Sequence, residues 1–190
     1  MNKNCHCVRL KMERGEGMNS AWGSEKENPV EADLESWIAN YGDGLLRMCI
    51  LELGDYSLAE DAVQETYIRA FRSYAKFEHR CAVKTWLTTI AINVCRSMRR
   101  SAWHRHVVSL EKFPDIPVAG TEETSDYSVS QAVMKLPPDL REVILLHELQ
   151  GLKLREIAEI RRLPLATIAS RLNRAKQRLR KELKEWYDEA

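Results

Sequence analysis

The spacing of apolar residues near the C-terminus constrains the fold more than any other feature of the chain. Apolar side chains recur at intervals of three or four residues in this segment: Leu165, Ile168, Leu172, Ala175, Leu179 and Leu183. This spacing places them on one face of an α-helix, which must pack against another element. Six basic residues lie between Arg171 and Lys181, and no acid interrupts the chain from Ile160 to Lys181. The sequence therefore predicts a helix with one buried face and one basic face.

Helical periodicity also dominates the rest of the chain. Apolar stripes begin near Leu34, Leu58 and Val83, whereas strand-type alternation is scarce. Ser57 and Glu60 have the spacing of a capping box, which predicts that the second of these helices starts at Ser57. We expect an all-α fold.

Composition divides the chain into four parts. Residues 1–30 lack periodicity and are rich in polar residues and glycine, so we expect a disordered extension. Residues 31–106 form a first helical domain. Residues 107–130 contain Pro, Gly, Ser and Thr and predict a flexible acidic linker. Residues 131–190 form a second helical domain.

The second domain has the pattern of a helix-turn-helix. A short helix is predicted at about 153–160 and a tight turn at 161–164, directly before the basic helix. We expect the motif to span Leu154 to Asn173, with DNA contacts continuing beyond Asn173. In such motifs the second helix enters the major groove of DNA.

The outer face of the basic helix carries the candidate DNA contacts. They are Thr167, Ser170, Arg171, Arg174, Arg178 and Lys181. An ordinary solvated basic helix is the competing interpretation.

The net charge of +1 hides alternating blocks. Nine acids and one base lie between Glu31 and Glu65, and nine bases and one acid lie between Thr66 and His106. Blocks of opposite sign within one chain suggest more than one charged partner. The bulk charge alone would have concealed this.

Several classes of protein fit the sequence poorly. The five histidines fall in no metal or nucleophile motif, and no glycine-rich phosphate loop occurs, so we expect neither an enzyme nor a cofactor. Cys5, His6 and Cys7 lack a nearby fourth ligand for zinc. The five cysteines have irregular spacing, which is typical of reduced thiols in the cytoplasm. No apolar run suits a membrane span, and the N-terminus lacks a signal-peptide pattern.

Two long segments carry a family resemblance. "LPPDLREVILLHELQGLKLREIAEIRRLPLATIASRLNRAKQRLRKEL" resembles the C-terminal domain of extracytoplasmic-function (ECF) sigma factors of bacterial RNA polymerase. "GDYSLAEDAVQETYIRAFRSYAKF", followed by "KTWLTTIAINVCRSMRR", resembles their N-terminal domain. The resemblance implies sigma region 2 and sigma region 4, joined by a linker that threads through polymerase. It also implies initiation of transcription at specific promoters, of stress or envelope-response genes.

The resemblance implies roles for particular residues. The polymerase-binding set is Asp61, Gln64, Glu65, Thr66, Tyr67, Arg69, Ala70 and Phe71. The set that reads and melts the minus-ten promoter element is Phe77, His79, Lys84, Trp86, Asn93, Arg96, Arg99 and Arg100. Trp86 also lies on an apolar stripe, so core packing competes with base stacking there. The basic helix would read the minus-thirty-five element. An anti-sigma factor, membrane-bound in many members, is the implied regulatory partner.

This chain departs from the family pattern at four positions of the helix-turn-helix. Lys153 replaces the usual serine or threonine, so the short helix should lose its N-cap at a cost of about 1 kcal/mol. Arg162 stands where the turn usually has glycine, which predicts backbone strain. Ala166 and Ala169 replace residues that are often Gly and Lys. These departures affect the promoter sequence and the turn geometry.

Translation is expected to start at Met18. Residues 1–17 match nothing in the family, and the codons of the preceding "RGEG" could resemble a ribosome-binding site. A stand-alone helix-turn-helix regulator remains the alternative function. The acidic helix and the tryptophan-bearing basic helix argue against it, because a sensor domain needs neither.

Overall fold

The structure, a computed structural model, describes residues 29–105 and 124–189, and the side chains of residues 33–101 and 129–184. Within these ranges every regular element is helical, as the sequence predicts. The first group comprises α1 (Pro29–Leu53), α2 (Tyr56–Ser73), a 3₁₀ turn (Tyr74–Lys76) and α3 (Val83–Arg105). The second group comprises α4 (Thr124–Lys135), α5 (Pro138–Ile144) with a π-helical continuation (Leu145–Leu149), α6 (Leu154–Arg161) and α7 (Leu165–Glu189).

The first domain is a three-helix arrangement in which α1 packs against both α2 and α3. Met48, Ala62 and Leu87 contribute fully buried side chains from these three helices. Gly54 joins α1 to α2 with a φ of +71°, a left-handed conformation that glycine adopts without strain. The apolar stripes predicted from the sequence therefore face one another in a common core.

The start of α2 differs from the prediction. Asp55 is the N-cap residue, and its Oδ1 accepts a hydrogen bond from the backbone N–H of Leu58 at 2.8 Å. The helix then begins at Tyr56, so Ser57 lies inside the first turn. The predicted capping box of Ser57 and Glu60 is wrong because the aspartate, two residues earlier, already satisfies the orphan donor.

The second domain contains the predicted helix-turn-helix. Pro138 opens α5 at the first helical turn, where a missing N–H costs nothing. Gly151 has a φ of +74° after the π-helical segment, and α6 follows. Ile168, Leu172 and Ala175 of α7 are buried on the face that the sequence assigned to the core.

The two predicted ends of the helix-turn-helix fare differently. The motif begins at Leu154, where α6 starts, as predicted. Its predicted end at Asn173 is corrected, because Asn173 lies inside α7 and no boundary occurs there. The helix continues to Glu189, and the buried Ala175 beyond Asn173 keeps it packed against the domain. The second helix of the motif is therefore one long, uninterrupted element.

Arg162 ends α6 in the left-handed conformation, with φ 53° and ψ 44°. The strain predicted at this residue is therefore confirmed. Lys153 caps α6 without a side-chain hydrogen bond, as its lack of an acceptor requires. Glu156 partly offsets that loss, because its Oε2 accepts from the backbone N–H of Lys153 at 2.7 Å.

The predicted linker differs from the structure at its end. Helix α4 begins at Thr124, so residues 124–130 belong to a helix of the second domain. The rest of that linker, together with the predicted disordered extension and Met18, lies almost entirely outside the described residues. Likewise α1 begins at Pro29, five residues before the first apolar position of its stripe.

The two domains pack directly against each other. The buried apolar residues of α1–α3 and α4–α7 form one continuous cluster. The contact is made chiefly by α1 with the π-helical segment, α4 and α5. Two separate domains on a linker were expected, and this shared core is what the sequence did not reveal.

Candidate nucleic-acid interface

The outer face of α2 presents acidic and apolar side chains. Asp61 and Gln64 are exposed, and Glu65 accepts a hydrogen bond from Arg69 Nε at 2.6 Å one turn later. Phe71 also faces solvent, with 41% of its surface exposed. These five members of the predicted polymerase-binding set are accessible to a partner.

Three other members of that set are buried. Thr66 and Ala70 have no exposed surface, and Tyr67 retains only 9%. The Tyr67 hydroxyl donates to the carbonyl oxygen of Trp37 at 3.4 Å, and burial raises the pKa of this tyrosine to about 12. As direct contacts these three residues are corrected: their side chains pack α2 against its own domain and leave no surface for a partner.

Ile68 was missed by the sequence analysis. It lies three, four and seven residues after Glu65, Gln64 and Asp61, on the same helical face, and 44% of its surface is exposed. The available signal was an isoleucine outside the buried stripe of an otherwise acidic face.

An aromatic cluster precedes α3. Phe77 stacks on Trp86 with ring centroids 4.4 Å apart and an angle of 15°, and His79 lies 4.5 Å from Phe77. Trp86 is 3% exposed and also contacts Trp37 edge-on, so its role here is core packing. His79 is exposed and has a φ of 50°, an unusual value for a residue with a side chain.

The cations of α3 fall into two groups. Lys84 and Arg100 are exposed. Arg96 and Arg99 are only partly exposed, because each forms an ion pair with a buried carboxylate: Arg96 with Glu142 of α5, at 4.0 Å, and Arg99 with Glu52 of α1. The predicted minus-ten set is therefore divided between available and engaged cations.

Asn93, also in that set, lies on the exposed side of α3. Its Nδ2 donates to the carbonyl oxygen of Thr89 at 2.8 Å, one turn earlier. Its carbonyl oxygen is not part of that bond.

The outer face of α7 is largely as predicted. Ser170, Arg174, Arg178 and Lys181 are exposed. Thr167 is partly buried near the start of the helix. The exposed residues extend over three turns of one helix face, which is the footprint of a groove-binding helix.

Asn173 adds a polar side chain beside that face. It is exposed and directly precedes Arg174, although the sequence analysis treated it only as the end of the motif. Because α7 continues without a break at this point, the basic face extends through Asn173 to Arg178 and Lys181.

Arg171 occupies a different environment. It is 23% exposed, and its Nη2 lies 3.1 Å from Asp139 Oδ2 at the start of α5. This ion pair connects the basic helix to the helix behind it. Arg171 therefore supports the orientation of α7, and only part of its guanidinium remains accessible.

Cysteines and possible metal ligands suggest no further chemistry. Cys49 and Cys95 are free buried thiols with sulfur atoms 3.5 Å apart. The hydrogen bond between them and burial both raise the pKa of Cys95, so it is a poor nucleophile. Cys81 is disulfide-bonded, so the expectation of reduced thiols is wrong for this residue. The part of the chain that the structure describes holds no group of three or more His, Cys, Asp or Glu arranged for a metal ion.

Membrane insertion by a helix finds no support in the described ranges. None of the helices there is long and apolar enough to cross a bilayer.

Comparison with known proteins places both domains. Residues 37–105 match the family model described as Sigma-70 region 2, and residues 127–179 match the one described as Sigma-70, region 4. The ECF RNA polymerase sigma factor SigW of Bacillus subtilis is 31% identical over 166 residues, covering 76% of this chain and 86% of SigW. The RNA polymerase sigma-H factor of Pseudomonas aeruginosa is 27% identical over 176 residues, covering 80% and 87%.

Solved structures agree. The sigma factor RpoE in complex with the anti-sigma factor NepR, from Bartonella quintana, superposes with a TM-score of 0.67 at 27% identity, covering 80% of this chain and 97% of RpoE. CnrH, solved in complex with the cytosolic domain of CnrY, shares the fold with a TM-score of 0.62 at 21% identity, covering 84% and 91%.

The two regions in this order, on an all-helical chain with a helix-turn-helix, define a sigma factor. The chain belongs to the ECF sigma factors of bacterial RNA polymerase. It therefore acts by directing core polymerase to promoters and initiating transcription there.

Proposed function

We propose that three surfaces share the work of initiation. The outer face of α2 binds core polymerase, the aromatic loop with α3 binds and melts the minus-ten element, and α7 reads the minus-thirty-five element. The corresponding domains are residues 31–106 and 131–190, with residues 107–130 connecting them. The observation that carries this proposal is the separation of one acidic helix face from two basic ones.

The polymerase surface comprises Asp61, Gln64, Glu65, Phe71 and the additional Ile68. An exposed aliphatic and an aromatic side chain among carboxylates suit an interface with an apolar centre and a charged rim. The acidic residues also complement a basic partner and speed the encounter. Family resemblance points to the coiled coil of the largest polymerase subunits as that partner.

The two DNA surfaces have different chemistry. Melting requires a site for an unstacked base and cations for the displaced strand. His79 and Phe77 offer rings beside the exposed Lys84 and Arg100. On α7 the residues nearest the helix start reach base edges, whereas the later Arg178 and Lys181 contact only phosphates.

The cellular setting follows from the same assignment. The protein acts in the cytoplasm, where polymerase works, and polymerase performs all the catalysis. The neighbouring structures of RpoE and CnrH were solved with NepR and CnrY, so a comparable anti-sigma partner is proposed for this chain. Stress or envelope-response genes are the proposed targets.

Run-off transcription tests this proposal. The purified full chain is added to bacterial core polymerase on genomic fragments, and transcript ends are mapped. We expect discrete start sites that depend on the protein, and strand opening upstream of them. If polymerase with the protein starts no more selectively than core polymerase alone, the assignment is wrong.

A further inference from the structure

Two carboxylates are buried where the domains meet. Glu52 of α1 and Glu142 of α5 are each 1% exposed. Glu52 pairs with Arg99 of its own domain and has Arg141 of the other domain nearby. Glu142 lies 2.5 Å from Arg161 of its own domain and 4.0 Å from Arg96 of the other. Each carboxylate thus has cationic neighbours in both domains.

Uncharged hydrogen bonds cross the same boundary. Gln150 Nε2 donates to the carbonyl oxygen of Gly44 at 2.9 Å, and Thr88 Oγ1 donates to Gln150 Oε1 at 3.4 Å. Arg141 Nη1 donates to the carbonyl oxygen of Glu52 at 3.0 Å. Gln150 is 4% exposed, and both of these side-chain bonds go to the first domain.

The charges in this boundary are held at an electrostatic cost. Burial raises the pKa of Glu52 to about 7, the nearby Glu142 adds to the rise, and Arg99 opposes it. Burial also raises the pKa of Glu142, against the effect of Arg161 and Arg96. Buried ion pairs contribute little net stability, because desolvation offsets their attraction, but they favour one geometry over others. The boundary is therefore specific without being strongly stabilised by its charges.

Arg96 and Arg99 are the cations that the proposed function assigns to promoter DNA. In this closed arrangement a carboxylate stands beside each of them, where DNA would supply a phosphate. The second domain provides the carboxylate for Arg96 and covers the one that holds Arg99. DNA and the second domain therefore compete for the same surface of α3.

We propose that the domain boundary is an autoinhibitory contact, in which Glu142 and Gln150 hold the second domain over the promoter-binding face of α3 until core polymerase separates the domains. This inference rests on the proposed function. Apparent affinity for DNA is reduced by the fraction of molecules in the open state, so weakening the contact must strengthen DNA binding.

Two variants weaken the contact without touching the proposed DNA or polymerase surfaces. Gln150→Ala removes two interdomain hydrogen bonds and no charge. Glu142→Gln removes a carboxylate and keeps the shape of the side chain. The matched control is Glu148→Gln, which changes the charge equally on an exposed carboxylate that pairs with Lys176 and His147 of its own domain.

The measurements use the free full chain. X-ray scattering gives the radius of gyration, and fluorescence anisotropy gives the affinity for a promoter fragment without polymerase. We expect both variants to be more expanded than wild type. Gln150→Ala should bind DNA roughly fivefold more tightly, the factor equivalent to about 1 kcal/mol of lost hydrogen bonding. The control should match wild type in radius and change affinity far less than the Glu142 variant.

Two results overturn the proposal. Either both variants keep the wild-type radius and the affinity of the control, or they expand without gaining affinity for DNA. Because Gln150→Ala leaves the buried ion pairs of the second domain intact, it decides the question even if Glu142→Gln unfolds that domain. Wild-type run-off transcription is measured in parallel. Its absence refutes the sigma-factor assignment, whereas its presence with unchanged variants refutes only the autoinhibitory contact.

Discussion

At the scale of single residues, Arg162 shows how far a sequence can specify backbone geometry. The turn between α6 and α7 needs a left-handed residue, and resemblance to the family located it. Arginine nevertheless adopts φ 53° there, at a steric cost that glycine avoids. Contacts of α6 and α7 with the core hold this residue in place.

Replacing Arg162 by glycine should therefore stabilise the protein. We expect Arg162→Gly to raise the free energy of unfolding by about 0.5–1 kcal/mol, because relief of strain exceeds the added freedom of the unfolded chain. Urea denaturation followed by circular dichroism measures this. The matched control is Arg155→Gly inside α6, which should lower stability by about 1 kcal/mol. Equal losses in both variants would contradict the account.

Glu52 should make stability depend on pH. Its folded pKa of about 7 exceeds the ordinary value of 4.5, so the folded state binds the proton more tightly. Its contribution is fully present below pH 4.5 and is lost as pH rises through 7, a difference of at most about 3 kcal/mol. Glu52→Gln, which cannot ionise beside Arg99, Arg141 and Glu142, should reduce that decline. Denaturation curves at pH 4.5, 6 and 8 with the same slope in both proteins would refute this.

At the scale of elements, helices were predictable but their working faces were only partly so. The family motif on α2 mixes packing residues with surface residues, and Thr66, Tyr67 and Ala70 proved to be buried. A motif records which residue types occur together and does not say which of them face solvent. Helical periodicity supplies that information, and it would also have singled out Ile68.

Reversing the charges on α2 should separate binding from folding. Asp61→Lys with Glu65→Lys should weaken capture of core polymerase, while stability changes by about 0.5 kcal/mol or less, as is usual for exposed positions. Pull-down with immobilised polymerase and thermal melting provide the two readouts. The charge-matched control reverses Asp43 and Glu159, exposed acids of α1 and α6. If the α2 variant is captured as well as the control, its face does not bind polymerase.

On α7, truncation should distinguish the outer face from the inner one. Arg174→Ala should weaken promoter binding by the holoenzyme by about 1–3 kcal/mol if it contacts a base, and relax specificity at one position. Leu172→Ala should instead destabilise the second domain by about 2–5 kcal/mol. Lys135→Ala, on α4 and paired with Glu182, is the control cation. Binding of varied promoter sequences and urea melts measure both effects. Unchanged binding by Arg174→Ala would mean that another face of α7 meets DNA.

At the scale of the whole molecule, the sequence predicted two helical domains and their order but not their contact. The helix stripes, the proline start of α5 and the basic face of α7 all follow from local spacing. The meeting of Arg96 with Glu142 and of Gly44 with Gln150 joins residues far apart in sequence, across a segment with no periodic signal. Charge blocks indicated several partners for the chain, and one of those partners is its own second domain.

The central claim is that this chain recognises promoters only together with core polymerase. Polymerase would hold both domains at the promoter spacing and remove most of the cost of ordering them. Each basic face alone supports mainly weak, salt-sensitive binding.

The most direct test is gel shift with permanganate footprinting on one promoter at physiological salt, with and without core polymerase. We predict weak binding by the free protein, and specific binding with strand opening when polymerase is present. Tight specific binding by the free protein, with no strand opening when polymerase is added, would contradict the account.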